Sequence, residues 1–160
     1  MQLLGLGPIF AILFFVGCDG GDSNGKLVVV TTTTHVTDIV KFVAGDRLDV
    51  IALMGPGVDP HLYKPSAGDA ATLAKADLIF FSGLMLEGRM ADIFAKVSRR
   101  GTKTYAVTEN ISEKLLLEPE EFEGHWDPHV WFDPAIWSKC VDVVGDALTE
   151  NDPEGKAGYT

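Results

Sequence analysis

Residues 26–54 read KLVVVTTTTHVTDIVKFVAGDRLDVIALM, and this stretch decides the fold. Leu27 to Thr32 is a continuous, largely β-branched run of the kind found in a strand covered on both faces. Val36, Ile39, Val40 and Val43 then fall at i, i+3, i+4 and i+7, one stripe of a helix that Gly45 ends. Asp49 to Met54 is a second apolar strand. Strand, helix and strand joined by short connections form the unit from which parallel sheets are built. The same alternation continues outward. Ser66 and Asp69 have capping-box spacing ahead of Ala70, Leu73 and Ala74, and Leu78 to Phe81 is a third buried strand. Leu86, Met90, Ile93, Phe94 and Val97 predict a further helix, closed by Arg99-Arg100-Gly101, and Thr102 to Val107 a fourth strand. After the acidic, irregular stretch Glu109 to Glu123, Pro134 suits the first turn of a helix with Ile136, Trp137, Cys140, Val141, Val144, Ala147 and Leu148 on one side. The fold class is therefore α/β, with a four-stranded, mainly parallel sheet and helices on both faces.

The chain's 160 residues are 46% hydrophobic and 22% charged, enough apolar material for one core. A net charge of −10 argues against nucleic-acid partners, which need clustered Lys and Arg. Residues 1–18, MQLLGLGPIFAILFFVGC, are too short and too broken by Gly and Pro for a transmembrane helix and read as an export signal, a retained membrane helix being the alternative. The ending Phe15-Val16-Gly17-Cys18 resembles a bacterial lipobox, which makes Cys18 the expected lipidation site and residues 19–25 a flexible tether. The expected location is thus outside the cytoplasm, periplasmic or lipid-anchored at the outer face of the cytoplasmic membrane. Cys140, at an apolar helical position, reads as a buried free thiol. Residues 26–150 form the α/β lobe. Asp152 and Pro153 look like the cap and first turn of another helix, so residues 151–160 are expected to be the beginning of a helix cut short.

The chemistry is carried by a tripeptide that occurs twice, Asp59-Pro60-His61 and Asp127-Pro128-His129. Each is followed by an apolar residue and then an aromatic, Leu62-Tyr63 and Val130-Trp131. One such tripeptide is ordinarily a surface turn with a solvated imidazole. Two, on connections that leave the second and fourth strands, are both expected at the carboxyl edge of the sheet, where open α/β folds bind ligands. Neutral imidazole is the commonest protein ligand for transition metals, and proline stiffens the backbone that aims it. His61 and His129 are therefore the candidate metal ligands. His35, His125 and Asp133 are weaker candidates. His35 is better read as a helix cap or pocket wall, and Asp59 and Asp127 as turn formers or hydrogen-bond partners of the imidazoles. Tyr63, Trp131, Phe132 and Trp137 suit core packing or a dry wall better than a sugar platform.

The stretch TTTTHVTDIVKFVAGDRLDVIALMGPGVDPHLYKPSAGDAATLAKADLIFFSGLMLEGRM and the later HWDPHVWFDPAIWS resemble the TroA-like family, the substrate-binding proteins of bacterial zinc and manganese ABC transporters. The likeness runs from about Lys26 onward. It implies an extracytoplasmic receptor that captures Zn2+ or Mn2+ as transported cargo and hands it to a membrane permease of ABC type, not an enzyme. It also implies two α/β lobes joined by a long helix, with the ion between them. His61 and His129 match the two histidines of the N-terminal lobe, while a His or Glu and an Asp would come from a second lobe. On this reading the chain is the N-terminal lobe, truncated at the start of the linking helix. With half a coordination shell it is expected to fold marginally and bind zinc weakly. The acidic, His-free stretch Glu109 to Glu123 leans towards manganese or mixed selectivity, whereas two imidazoles alone favour zinc. A metal-dependent hydrolase and a surface adhesin-like lipoprotein are the alternatives, but no His-Glu-x-x-His helix, nucleophile elbow or phosphate loop supports the first and no adhesion motif the second.

Overall fold

A computed structural model describes residues 25–122 and 124–159. The expected signal, Cys18 and the tether up to Asn24 lie outside the described residues. Four strands, β1 (Val28–Thr31), β2 (Asp49–Ala52), β3 (Leu78–Phe81) and β4 (Lys103–Ala106), alternate with four α-helices, α1 (Thr34–Ala44), α2 (Ala67–Leu73), α3 (Ala91–Arg99) and α4 (Pro134–Asn151). The sheet runs β2-β1-β3-β4 and every pairing is parallel, with Val29 opposite Val50 on one side and Leu78 on the other. The chain thus reverses its direction of winding between β1 and β3, the switch point beside which such sheets bind ligands.

Period-two alternation along the strands separates two cores. Val29, Leu78 and Phe80 point to one face, where they pack with Val36, Val40 and Val43 of α1 and Cys140, Val144 and Leu148 of α4. Val30 and Ile79 point to the other, against Leu73 of α2 and Phe94 and Val97 of α3. Each fully buried aliphatic side chain contributes about 1.5–3 kcal/mol relative to exposure. This is why β1 and β3, at the centre, are buried at successive positions, while β2 and β4 at the edges are not. Among the described residues no helix is long and apolar enough to cross a membrane.

Local signals place the helix starts. Thr33 caps α1 through a hydrogen bond from the Val36 N–H, so the cap lies two residues before His35. Ser66 and Asp69 form the expected capping box on α2. Asp133 accepts the N–H groups of Ala135 and Ile136 ahead of Pro134, which makes it the cap of α4.

The helix expected from Leu86 begins instead at Ala91, after a 3-10 turn at Gly88–Met90. Leu84 and Met85 have φ of 49° and 65°, in the left-handed region that non-glycine residues seldom occupy. Glu87 closes this loop from inside: one carboxylate oxygen accepts the Thr32 hydroxyl at 2.6 Å and the Ser82 N–H at 2.8 Å, and the other accepts the Gly83 N–H at 3.3 Å. Leu86 and Met90 are fully buried, so their spacing records burial and not a continuous helix.

Beyond α4, Pro153–Gly158 forms a 3-10 helix that folds back on the lobe. The Arg47 guanidinium grips Asp152 with two N–H groups, and the Tyr159 hydroxyl donates to the same carboxylate. Gly145 has no side chain because the Tyr159 carbonyl lies 2.8 Å from where its Cβ would stand.

Candidate metal site

Four connections leave the carboxyl ends of the four strands, and all four contribute to one cleft of about 340 Å³. The β1–α1 junction supplies Thr33 and, in the first turn of α1, His35; the β2 loop supplies Asp59 and His61, the β3 loop Leu86, and the β4 loop His129 and Trp131. Parallel topology brings together residues 68 apart in sequence, because every strand ends at the same edge.

The two predicted imidazoles meet there. His61 Nε2 and His129 Nε2 are 3.3 Å apart, with ring centroids at 5.3 Å. With a proton on one of the two nitrogens, that separation allows a hydrogen bond between the rings. It is close to what one tetrahedral zinc requires, since two nitrogens each about 2.05 Å from the ion stand about 3.3 Å apart.

The two Asp-Pro-His turns are built alike. Asp59 Oδ1 accepts the His61 N–H at 2.9 Å, and Asp127 Oδ1 accepts the His129 N–H at 2.9 Å. Each Asp side chain folds over its proline to fix the turn. Asp127 does more: its Oδ1 also lies 2.6 Å from His129 Nδ1. With the Nδ1 proton donated to that carboxylate, the neutral ring keeps its lone pair on Nε2, the atom facing His61. Burial pushes the Asp127 carboxyl upward, but the hydrogen bonds from His129 outweigh it and hold the group below the usual carboxylate range.

The remaining candidates resolve differently. His35 lines the cleft, stacked on Trp131 with centroids 4.3 Å apart and planes at 16°. Trp131 in turn meets His129 edge-on at 5.2 Å, so the His35–Trp131 stack walls one side of the imidazole pair. Asp133 is engaged as the cap of α4, and His125 is exposed and does not line the cleft. Tyr63 and Trp137 pack on the two cores, while Phe132 is 80% exposed. Among the described residues no group of three or more His, Cys, Asp or Glu could hold a metal ion together. Among them, two imidazoles, those of His61 and His129, approach each other at the cleft.

Glu87 was not singled out by the sequence reading. It is 3% exposed, and burial pushes its carboxyl up despite the Thr32, Ser82 and Gly83 donors. It ties the end of β1 to the loop after β3 and so sets the spacing of two walls of the cleft. No spacing rule marks a carboxylate that closes a loop from within.

The profile of the family described as zinc-uptake complex component A, periplasmic (ZnuA), matches residues 29–160. The chain belongs to this family. Among curated relatives, this ZnuA-family chain is 43% identical over 149 residues to the zinc-binding protein TroA of Treponema pallidum, covering 91% of the chain and 46% of the relative. It is 39% identical over 151 residues to the manganese-binding lipoprotein MntA of Bacillus subtilis, covering 91% and 48%. The solved periplasmic zinc-binding protein TroA of T. pallidum superposes with a TM-score of 0.80 at 42% identity, over 84% of this chain and 48% of that one. A manganese-bound periplasmic metal-binding protein from Candidatus Liberibacter asiaticus gives 0.75 at 30% identity, over 84% and 49%. The chain thus spans about half the length of the relatives it matches.

Proposed function

We propose that this chain captures a divalent transition metal, zinc or manganese, through Nε2 of His61 and Nε2 of His129, outside the cytoplasm, for delivery to a membrane permease of ABC type. The observation that carries this reading is the 3.3 Å approach of the two Nε2 atoms, with the Asp127 carboxylate setting the tautomer of His129. The relatives named as zinc-binding and manganese-binding proteins support the cargo class, and lipoproteins among them support an anchored, extracytoplasmic location.

Competition against a zinc indicator tests the assignment. Replacing both His61 and His129 by alanine is expected to abolish zinc binding at the cleft, and each single substitution to weaken it at least tenfold. Unchanged zinc affinity in the double variant would refute it.

A further inference from the structure

We propose that His35 is a positioning residue for metal capture: its imidazole, laid flat on Trp131, holds the indole edge against the ring of His129 and so presets the direction of His129 Nε2. This rests on the reading of His61 and His129 as the ligands. The His35 and Trp131 rings lie 4.3 Å apart between centroids with their planes at 16°, and Trp131 meets His129 at 5.2 Å and 74°. The first contact is stacked and the second edge-to-face, and both are attractive beyond the area they bury. The three rings form a chain that starts in the first turn of α1 and ends on a ligand. It crosses the sheet edge, because β1, which leads into α1, and β4, which leads to His129, are separated by β3.

Each ring depends on the next. Asp127 ties His129 through its backbone N–H and its Nδ1, which fixes one side of the imidazole. A ring held at one nitrogen still tilts about that bond, and the Trp131 edge opposes the tilt. Phe122 stands farther from His129, at 6.3 Å between centroids. Trp131 itself sits in the 3-10 turn Val130–Phe132 and, among the described residues, packs on neither core. Its neighbour Phe132, 5.8 Å away, is 80% exposed and gives it little support. His35 stands on a firmer base, flanked by the capping Thr33 and the fully buried Val36. The rigidity of α1 is thus passed to a ligand on a distant loop. A ring oriented before the ion arrives loses less conformational freedom on binding, which raises affinity without adding a bond to the metal.

Competition of the full chain against a zinc indicator, with the urea midpoint of each variant measured alongside to show that it folds, tests this role. His35→Ala is expected to weaken zinc binding about fivefold, the order of one aromatic pair. His35→Phe keeps a flat ring on the indole while removing both imidazole nitrogens, and should stay within about twofold of the parent. In a Trp131→Leu background, where the chain of rings is already broken, His35→Ala should change affinity by less than about twofold. An effect of His35→Ala below about twofold in the parent would overturn the proposal. A loss in His35→Phe equal to that in His35→Ala would overturn it in favour of the imidazole nitrogens themselves. Equal losses with and without Trp131 would overturn the route through the indole. These three outcomes leave the ligand assignment standing, whereas zinc binding that survives replacement of both His61 and His129 would overturn the assignment and the role of His35 alike.

Discussion

Glu87 offers the sharpest test of how the cleft is held together. Replacing it by alanine removes the acceptor of three donors, the Thr32 hydroxyl and the Ser82 and Gly83 N–H groups, at a place where Thr32 and Ser82 are 0% and 1% exposed. Each buried donor left without a partner costs about 1–3 kcal/mol. Losing the carboxylate also relieves the burial that pushes its pKa up, so the net cost of Glu87→Ala is expected at about 3–5 kcal/mol. Glutamine behaves differently because both strong bonds reach the same oxygen, Oε1. An amide oxygen there keeps them, the amide NH2 meets the Gly83 N–H without an acceptor, and the desolvated charge is gone. Glu87→Gln should therefore cost only about 1 kcal/mol. Urea unfolding followed by tryptophan fluorescence reads both. Against a total stability of about 5–15 kcal/mol, the alanine variant should unfold at much lower urea. An alanine variant within about 1 kcal/mol of the parent, or one equal to glutamine, would refute the role given to the carboxylate.

Asp127→Asn keeps an oxygen for the His129 N–H but loses the charge that orients the ring, and is expected to weaken zinc binding about 10–100-fold while the far-ultraviolet dichroism stays unchanged. Equal affinity in parent and variant would count against that orientation. The Arg47–Asp152–Tyr159 cluster should shape stability at both pH extremes. The Arg47 and Tyr159 hydrogen bonds hold Asp152 at about 2, below the ordinary carboxylate, so its contribution is present above about pH 4 and is lost as pH falls towards 2. Burial and the bond to Asp152 push Tyr159 up to about 12, so its contribution is present below about pH 10 and is lost as pH rises through 12. Arg47→Gln should flatten the acid limb of a plot of urea midpoint against pH, and an unchanged acid limb would exclude the cluster as its source.

The sequence by itself determined the α/β class, the order of the elements and the two Asp-Pro-His turns that carry His61 and His129. Helix and strand periods are local, and Leu27 to Thr32, the Val36–Val43 stripe and the capping box at Ser66 carry them within a few residues of each other. The Asp-Pro-His turns were legible for the same reason, since each Asp bonds the backbone only two residues ahead. Tertiary structure decided what depends on residues distant in the chain. It placed the two Nε2 atoms 3.3 Å apart, stacked His35 on Trp131, and drew Glu87 under the end of β1. It also moved the start of α3 from Leu86 to Ala91, because loop closure by a buried carboxylate outweighed an apolar spacing that the core alone explains. Periodicity reports which side chains are buried. Which atoms meet is fixed only when the parallel strands bring their loops to one edge.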